Sequence, residues 1–119
     1  MLRYLFDENV DTALVAALRR REPDLTIWKI GEPDMLPLGT LDPAILVECE
    51  LRDLVLITNN RHSMPTHLAD HLAAGRHIPG ILLINPGLKI GQILNYLILA
   101  AYSSLPDEYR DQIQHLSSL

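Results

Sequence analysis

The chain has little with which to staple itself. It carries one cysteine, Cys49, in 119 residues, so no internal disulfide can form. Cys49 sits in an apolar, helix-like stretch and reads as a buried small hydrophobe rather than a reactive thiol. That usage fits a reducing, cytoplasmic setting. Aromatic residues make up only 5%, too few for a base-stacking platform. Basic residues are outnumbered: Lys and Arg total 10 against 15 Asp and Glu, a formal net charge of -5. A protein that coats duplex DNA draws its affinity from neutralising phosphates, so the balance argues against dedicated duplex DNA binding. It does not argue against an enzyme that meets nucleic acid through a small site and a bound metal ion. Long hydrophobic runs are also missing. The most apolar stretch, Leu88 to Leu105, is interrupted by Lys89, Gln92, Asn95 and serines, so no membrane span is expected. The opening MLRYLFDENV has no apolar core of signal-peptide length. No glycine-rich phosphate loop follows the first apolar run, and there is no internal repeat, low-complexity tract or linker.

What is present is an ordinary globular composition, 48% hydrophobic and 21% charged, at the size of one domain spanning 1–119. Leu2 to Phe6 reads as a strand that ends in the polar turn Asp7-Glu8-Asn9. A helix from Val10 to Arg21 follows, capped by Asn9 or Asp11 and stopped by Pro23. Leu25 to Ile30 is a second strand, and Gly31 to Thr40 a loop. Thr40 or Asp42 can cap a helix that starts around Pro43 and runs to about Arg52. Leu54 to Thr58, apolar nearly throughout, is a strand buried on both faces. After the turn Asn59-Asn60-Arg61-His62-Ser63, a helix is expected from about Pro65 to Ala74, closed by Gly75. Ile81 to Ile84 is a fourth buried strand, and a long helix follows from Leu88. Pro106 begins a tail helix, 105–119, with Tyr109, Ile113 and Leu116 on one face. Strands alternating with helices predict an α/β fold, with a mostly parallel sheet of about four strands covered on both faces.

In such open sheets ligands bind beyond the carboxyl ends of the strands, where both polar turns fall. Adjacent acids there, Asp7 and Glu8, repel unless a cation or a base sits between them. Mg²⁺ or Mn²⁺ takes such oxygen ligands and keeps waters that a phosphate can displace. Both acids can also serve the first helix as caps and dipole partners. Asp42 likewise is a cap or a third carboxylate of the crevice. Thr58 and Asn60 suit metal or water positioning, and Arg61 suits phosphate. His67 and His71 stand one turn apart, as transition-metal pairs do, but a solvated helix face accounts for them. Arg19-Arg20-Arg21 complements a helix dipole. The long helix is apolar around much of its circumference, with Leu88, Tyr96, Leu99 and Tyr102 outside the main stripe. That predicts a homodimer or partner contact, or burial under the tail helix.

The set LFDENV, Leu41-Asp42-x-x-Ile45-Leu46, Leu54-Val55-Leu56-Ile57-Thr58-Asn59-Asn60-Arg61 and Gly80-Ile81-Leu82-Leu83-Ile84 resembles the small stand-alone PIN-like proteins. The resemblance covers roughly residues 1–100. It implies a three-layer α/β/α sandwich akin to the VapC-type toxin ribonucleases, a toxin–antitoxin context with an antitoxin protein as partner, and hydrolysis of RNA through Mg²⁺ or Mn²⁺. By position it implies Asp7 as first metal ligand with Glu8 and Asn9 beside it, and Asp42 as the second acidic position. Asp7, Asp42 and Asn60 would be catalytic, and Asn9, Thr58, Asn59 and Arg61 would meet substrate. The sequence departs from the family at the third position. Relatives typically read Thr-x-Asp-Arg-Asp-Phe there, and this chain reads Thr58-Asn59-Asn60-Arg61-His62-Ser63. The departure implies weaker metal binding and raises the alternative of a catalytically degenerate module that binds a partner protein or RNA.

Overall fold

In the computed structural model, which describes residues 1–116, nine elements alternate along the chain. They are β1 (Tyr4–Phe6), α1 (Thr12–Arg21), β2 (Ile27–Lys29), α2 (Asp42–Arg52), β3 (Val55–Thr58), α3 (Met64–Ala73), β4 (Ile81–Leu83), α4 (Ile90–Ser103) and β5 (Ile113–His115). The strands form one sheet in the order β2-β1-β3-β4-β5, and every neighbouring pair is parallel. The fold is therefore an α/β sandwich of three layers with an all-parallel sheet.

The two-residue period of the strands divides the core. Tyr4, Phe6, Val55, Ile57 and Leu82 face one layer, where they meet Leu14 and Leu18 of α1 and Ile93, Leu94 and Leu97 of α4. Leu5, Leu56 and Ile81 face the other, against Ile45, Leu46 and Cys49 of α2 and Met64 and Leu68 of α3. Burial on both sides explains why β1 and β3 are apolar nearly throughout rather than alternating. Cys49 is fully buried, as expected, and its surroundings push its thiol far up. The Tyr4 hydroxyl donates to the Leu97 carbonyl oxygen at 2.7 Å, so the one polar atom of that core side chain is satisfied and α4 is fixed over β1.

The expected tail helix is wrong. Residues 106–111 are turns, and Ile113–His115 form β5, a fifth strand rather than the end of a four-stranded sheet. Asp107 and Asp111 lie at φ of 61° and 60°. Left-handed residues break a right-handed helix, and Asp tolerates that conformation better than most. The edge of β4 offered backbone partners that a helix could not use: Ile81 N–H donates to the Gln112 carbonyl at 3.0 Å, and Leu116 N–H to that of Leu83 at 2.8 Å. The helical spacing of Tyr109, Ile113 and Leu116 was coincidental. The last three residues of the expected helix lie outside the described residues. Among the described residues no helix is long and apolar enough to cross a membrane.

Candidate functional site

The crossovers after β1 and β3 leave in opposite directions, because β2 lies on one side of β1 while β3 and β4 lie on the other. Where strand order reverses, the connecting loops part and leave a crevice at the carboxyl ends. Asp7 and Thr58 stand at that point, one residue beyond β1 and at the end of β3.

Asp7 is only 6% exposed, and both of its carboxylate oxygens are engaged. Oδ1 accepts the Glu8 backbone N–H at 2.8 Å, and Oδ2 accepts the Thr58 hydroxyl at 2.9 Å. Thr58, fully buried, accepts in turn from the Asn60 N–H at 3.1 Å. The Asn60 amide then donates to Asp42 Oδ2 at 2.8 Å and to Ser63 Oγ at 2.7 Å. Its Oδ1 accepts the Ser63 N–H at 3.3 Å. The amide's orientation follows from chemistry, since a carboxylate can only accept. One hydrogen-bonded network thus runs from Asp7 through Thr58 and Asn60 to Asp42.

Asp42 is not the N-cap of α2. Leu41 occupies that position with no side-chain cap bond, and Asp42 is the first helical residue with Pro43 beside it. The carboxylate turns toward the crevice because Asn60 and His67 are there, the His67 ring Nε2 lying 3.5 Å from Oδ2. Asp42 still complements the helix dipole from the first turn. At α1, by contrast, Asp11 is the cap and accepts from the Ala13 N–H at 2.9 Å, so neither Asp7 nor Asn9 is spent on that end.

The remaining candidates part company. Glu8 turns away: its Oε1 accepts from the Gly39 N–H at 2.9 Å, and its backbone carbonyl accepts from Lys29 Nζ at 2.8 Å. It ties the loop between β2 and α2 to the sheet. Asn59 is exposed and holds the Asn9 carbonyl at 3.4 Å, linking the two polar turns. Arg61 is exposed, and its guanidinium has no hydrogen-bond or ion-pair partner among the described residues. Arg19 does more than meet a dipole. It pairs with Glu32 at 2.8 Å and donates to the Ile27 carbonyl.

Two histidines depart from the expected solvated face. His67 joins the crevice through Asp42. His71 has a side chain only 4% exposed, with Nε2 at 3.1 Å from Glu50 Oε1 and 3.2 Å from the His77 carbonyl oxygen. The sequence held a signal for it. Met64, Leu68 and His71 fall on one helical stripe, and the first two are apolar. His67 carried no such signal, because its partner comes from another helix.

Asp7, Glu8 and Asp42 do not gather as ligands. Among the described residues no three His, Cys, Asp or Glu side chains form a group that could hold a metal ion. Each Asp7 oxygen accepts an N–H or O–H, and Asp42 accepts from the Asn60 amide. As placed, these residues form one hydrogen-bonded network. Comparison of the chain with family models, curated proteins and solved structures finds no match.

Proposed function

We propose that the chain is a PIN-like protein of the kind found in toxin–antitoxin pairs, whose crevice has become a binding site. It would act in the cytoplasm and hold an antitoxin-type protein or RNA without cutting it. The observation that carries this reading is the Asn60–Asp42 bond. Two carboxylates across such a contact would repel and call for a cation, whereas an amide N–H stabilises its neighbour's charge by a hydrogen bond. The sheet order and the crevice at its switch point support the PIN-like part of the proposal, as do the motifs LFDENV and Leu54 to Arg61. The exposed Arg61 at the crevice edge suits a phosphate or a carboxylate of the partner.

A second reading, a metal-dependent endoribonuclease, is favoured by one observation. Asp7 and Asp42 reach the same crevice within one network. Calorimetric titration with Mn²⁺ beside an RNA cleavage assay decides between them. The binding-module reading expects no Mn²⁺ heat at millimolar metal and no cleavage. Binding and cleavage that both vanish in Asp7→Asn would overturn it.

A further inference from the structure

The second half of α4 carries an apolar row at the margin of its core face, where Tyr96 packs partly against the core. Tyr96, Leu99 and Tyr102 recur every three residues along it, and Leu99 and Tyr102 are each 51% exposed. Leu105, just beyond the helix, is 70% exposed. Residues three apart are neighbours on a helix surface, so this is one apolar stripe and not scattered exposure. Beside it runs a groove of about 250 Å³ between α4 and the segment leading to β5, floored by Tyr96, Leu99, Ala100 and Tyr109. Ser103, Ser104 and Glu108 line its sides. The groove lies toward the amino ends of the strands, since α4 runs back against the sheet, and is remote from the crevice at the carboxyl ends.

Carboxylates stand at the side of this groove and beside the stripe. Glu108 acts on the Tyr96 phenol, and Glu22 and Asp24 act on that of Tyr102. Glu22 also accepts the Tyr102 hydroxyl at 3.0 Å. Desolvation is the main cause that raises both phenols above their ordinary value; Tyr109 and then Glu108 add to it at Tyr96, and Glu22 and Asp24 at Tyr102. Apolar tyrosine and leucine surface rimmed by carboxylates suits an aliphatic side chain flanked by cationic ones. The leucine-sized anchor packs on Leu99 and Ala100, while Lys or Arg meets Glu108 and Glu22 or lies over a tyrosine ring.

We propose that this groove is a docking site for a partner-protein segment in which basic residues flank an apolar anchor. The proposal is independent of what the crevice does. Its test uses an amidated helical peptide of Leu, Lys and Ala, with a Glu-for-Lys version as control. Binding to the whole protein is followed by fluorescence anisotropy and by amide shifts in NMR. The Lys peptide should shift signals from Tyr96 to Tyr109, and raising salt from 0.05 M to 0.5 M should weaken it severalfold. Leu99→Ala should weaken it about tenfold through lost apolar contact, a change of roughly 1.4 kcal/mol. Glu108→Gln should weaken it about threefold while keeping the acceptor for the Leu105 N–H. Asp70→Asn, an exposed acid on α3 across the sheet, should leave it unchanged. Unaltered thermal melts establish that the variants fold. Equal binding of the Glu peptide, shifts confined to the crevice, or indifference to Leu99→Ala would each sink the proposal. So would displacement of the peptide by single-stranded RNA from these same residues. Sedimentation showing the stripe buried between two copies would also reject it.

Discussion

Asn60→Asp is the sharpest perturbation of the crevice. In the wild-type chain the Asn60 amide gives one N–H to Asp42 at 2.8 Å and another to Ser63 at 2.7 Å. The substitution removes both donors and sets a second carboxylate against the first. Two charges about 4 Å apart repel by about 4 kcal/mol at an effective dielectric near 20. The Asp42 side chain is 19% exposed, so water screens part of that and about 2–4 kcal/mol remains. For a domain of this size each kcal/mol moves the melting temperature by about 4 °C, so the variant should melt roughly 8–16 °C lower at pH 7. Repulsion raises the folded-state pKa of the acid pair above its unfolded value. The deficit is therefore largest at neutral pH and shrinks as the pH falls toward 5 and one proton is taken up. Millimolar Mn²⁺ should restore several degrees in the variant and nothing in the parent, because only the variant has an unpaired acid couple to bind it. The assay is differential scanning fluorimetry across pH, with and without Mn²⁺. A variant that melts within a degree or two of the parent at pH 7, with no response to metal, would refute the idea that Asn60 substitutes for a cation.

Thr58→Val should cost about 1–3 kcal/mol by urea denaturation, since it leaves a buried Asp7 oxygen without its donor, while Thr58→Ser should recover most of the loss. Gly80→Ala should destabilise by a comparable amount and loosen β5 in hydrogen exchange. A Cβ there would lie 2.7 Å from Tyr109 Cβ and 3.0 Å from its carbonyl oxygen, at a φ of +154°. Acid should erode stability through Asp111 and Glu50. Burial pushes both carboxyls up, but the Ile78 N–H, His77 and Arg110 outweigh it at Asp111, and the His77 N–H, Arg76 and His71 outweigh it at Glu50. Both therefore sit below their ordinary values, and their stabilisation is full above the unfolded pKa and lost as the pH falls through the folded one. The melting temperature should accordingly drop faster below about pH 4 in the parent than in Asp111→Asn, and parallel curves would contradict this.

Much of the fold was readable because burial on both faces writes itself plainly. Val55 to Thr58 is apolar up to its last residue, and Thr58, the exception, is the residue that reaches Asp7. Asp7 and Asn60, both expected beyond the carboxyl ends of strands, do share one hydrogen-bonded network through Thr58. Their pairing was not readable. Asp42 and Asn60 are 18 positions apart and meet only because α2 begins beside the turn after β3. Seen alone, Asp42 had a sufficient local role as a cap, and local reasoning stops there. Glu8 misled in the same manner, because its partner, the Gly39 N–H, lies in a loop with no pattern to read. At β5 the sequence period pointed to a helix, and the outcome was decided by free backbone groups on the neighbouring strand.

That last strand has a consequence for the chain as it is made. Translation proceeds from β1, which lies inside the sheet, and β4 is complete at Leu83, but its outer neighbour starts only at Ile113. Until that segment pairs, the hydrogen-bonding edge of β4 is uncovered. In that interval Ile81, Leu82 and Leu83 form an apolar ribbon open to any other strand in reach.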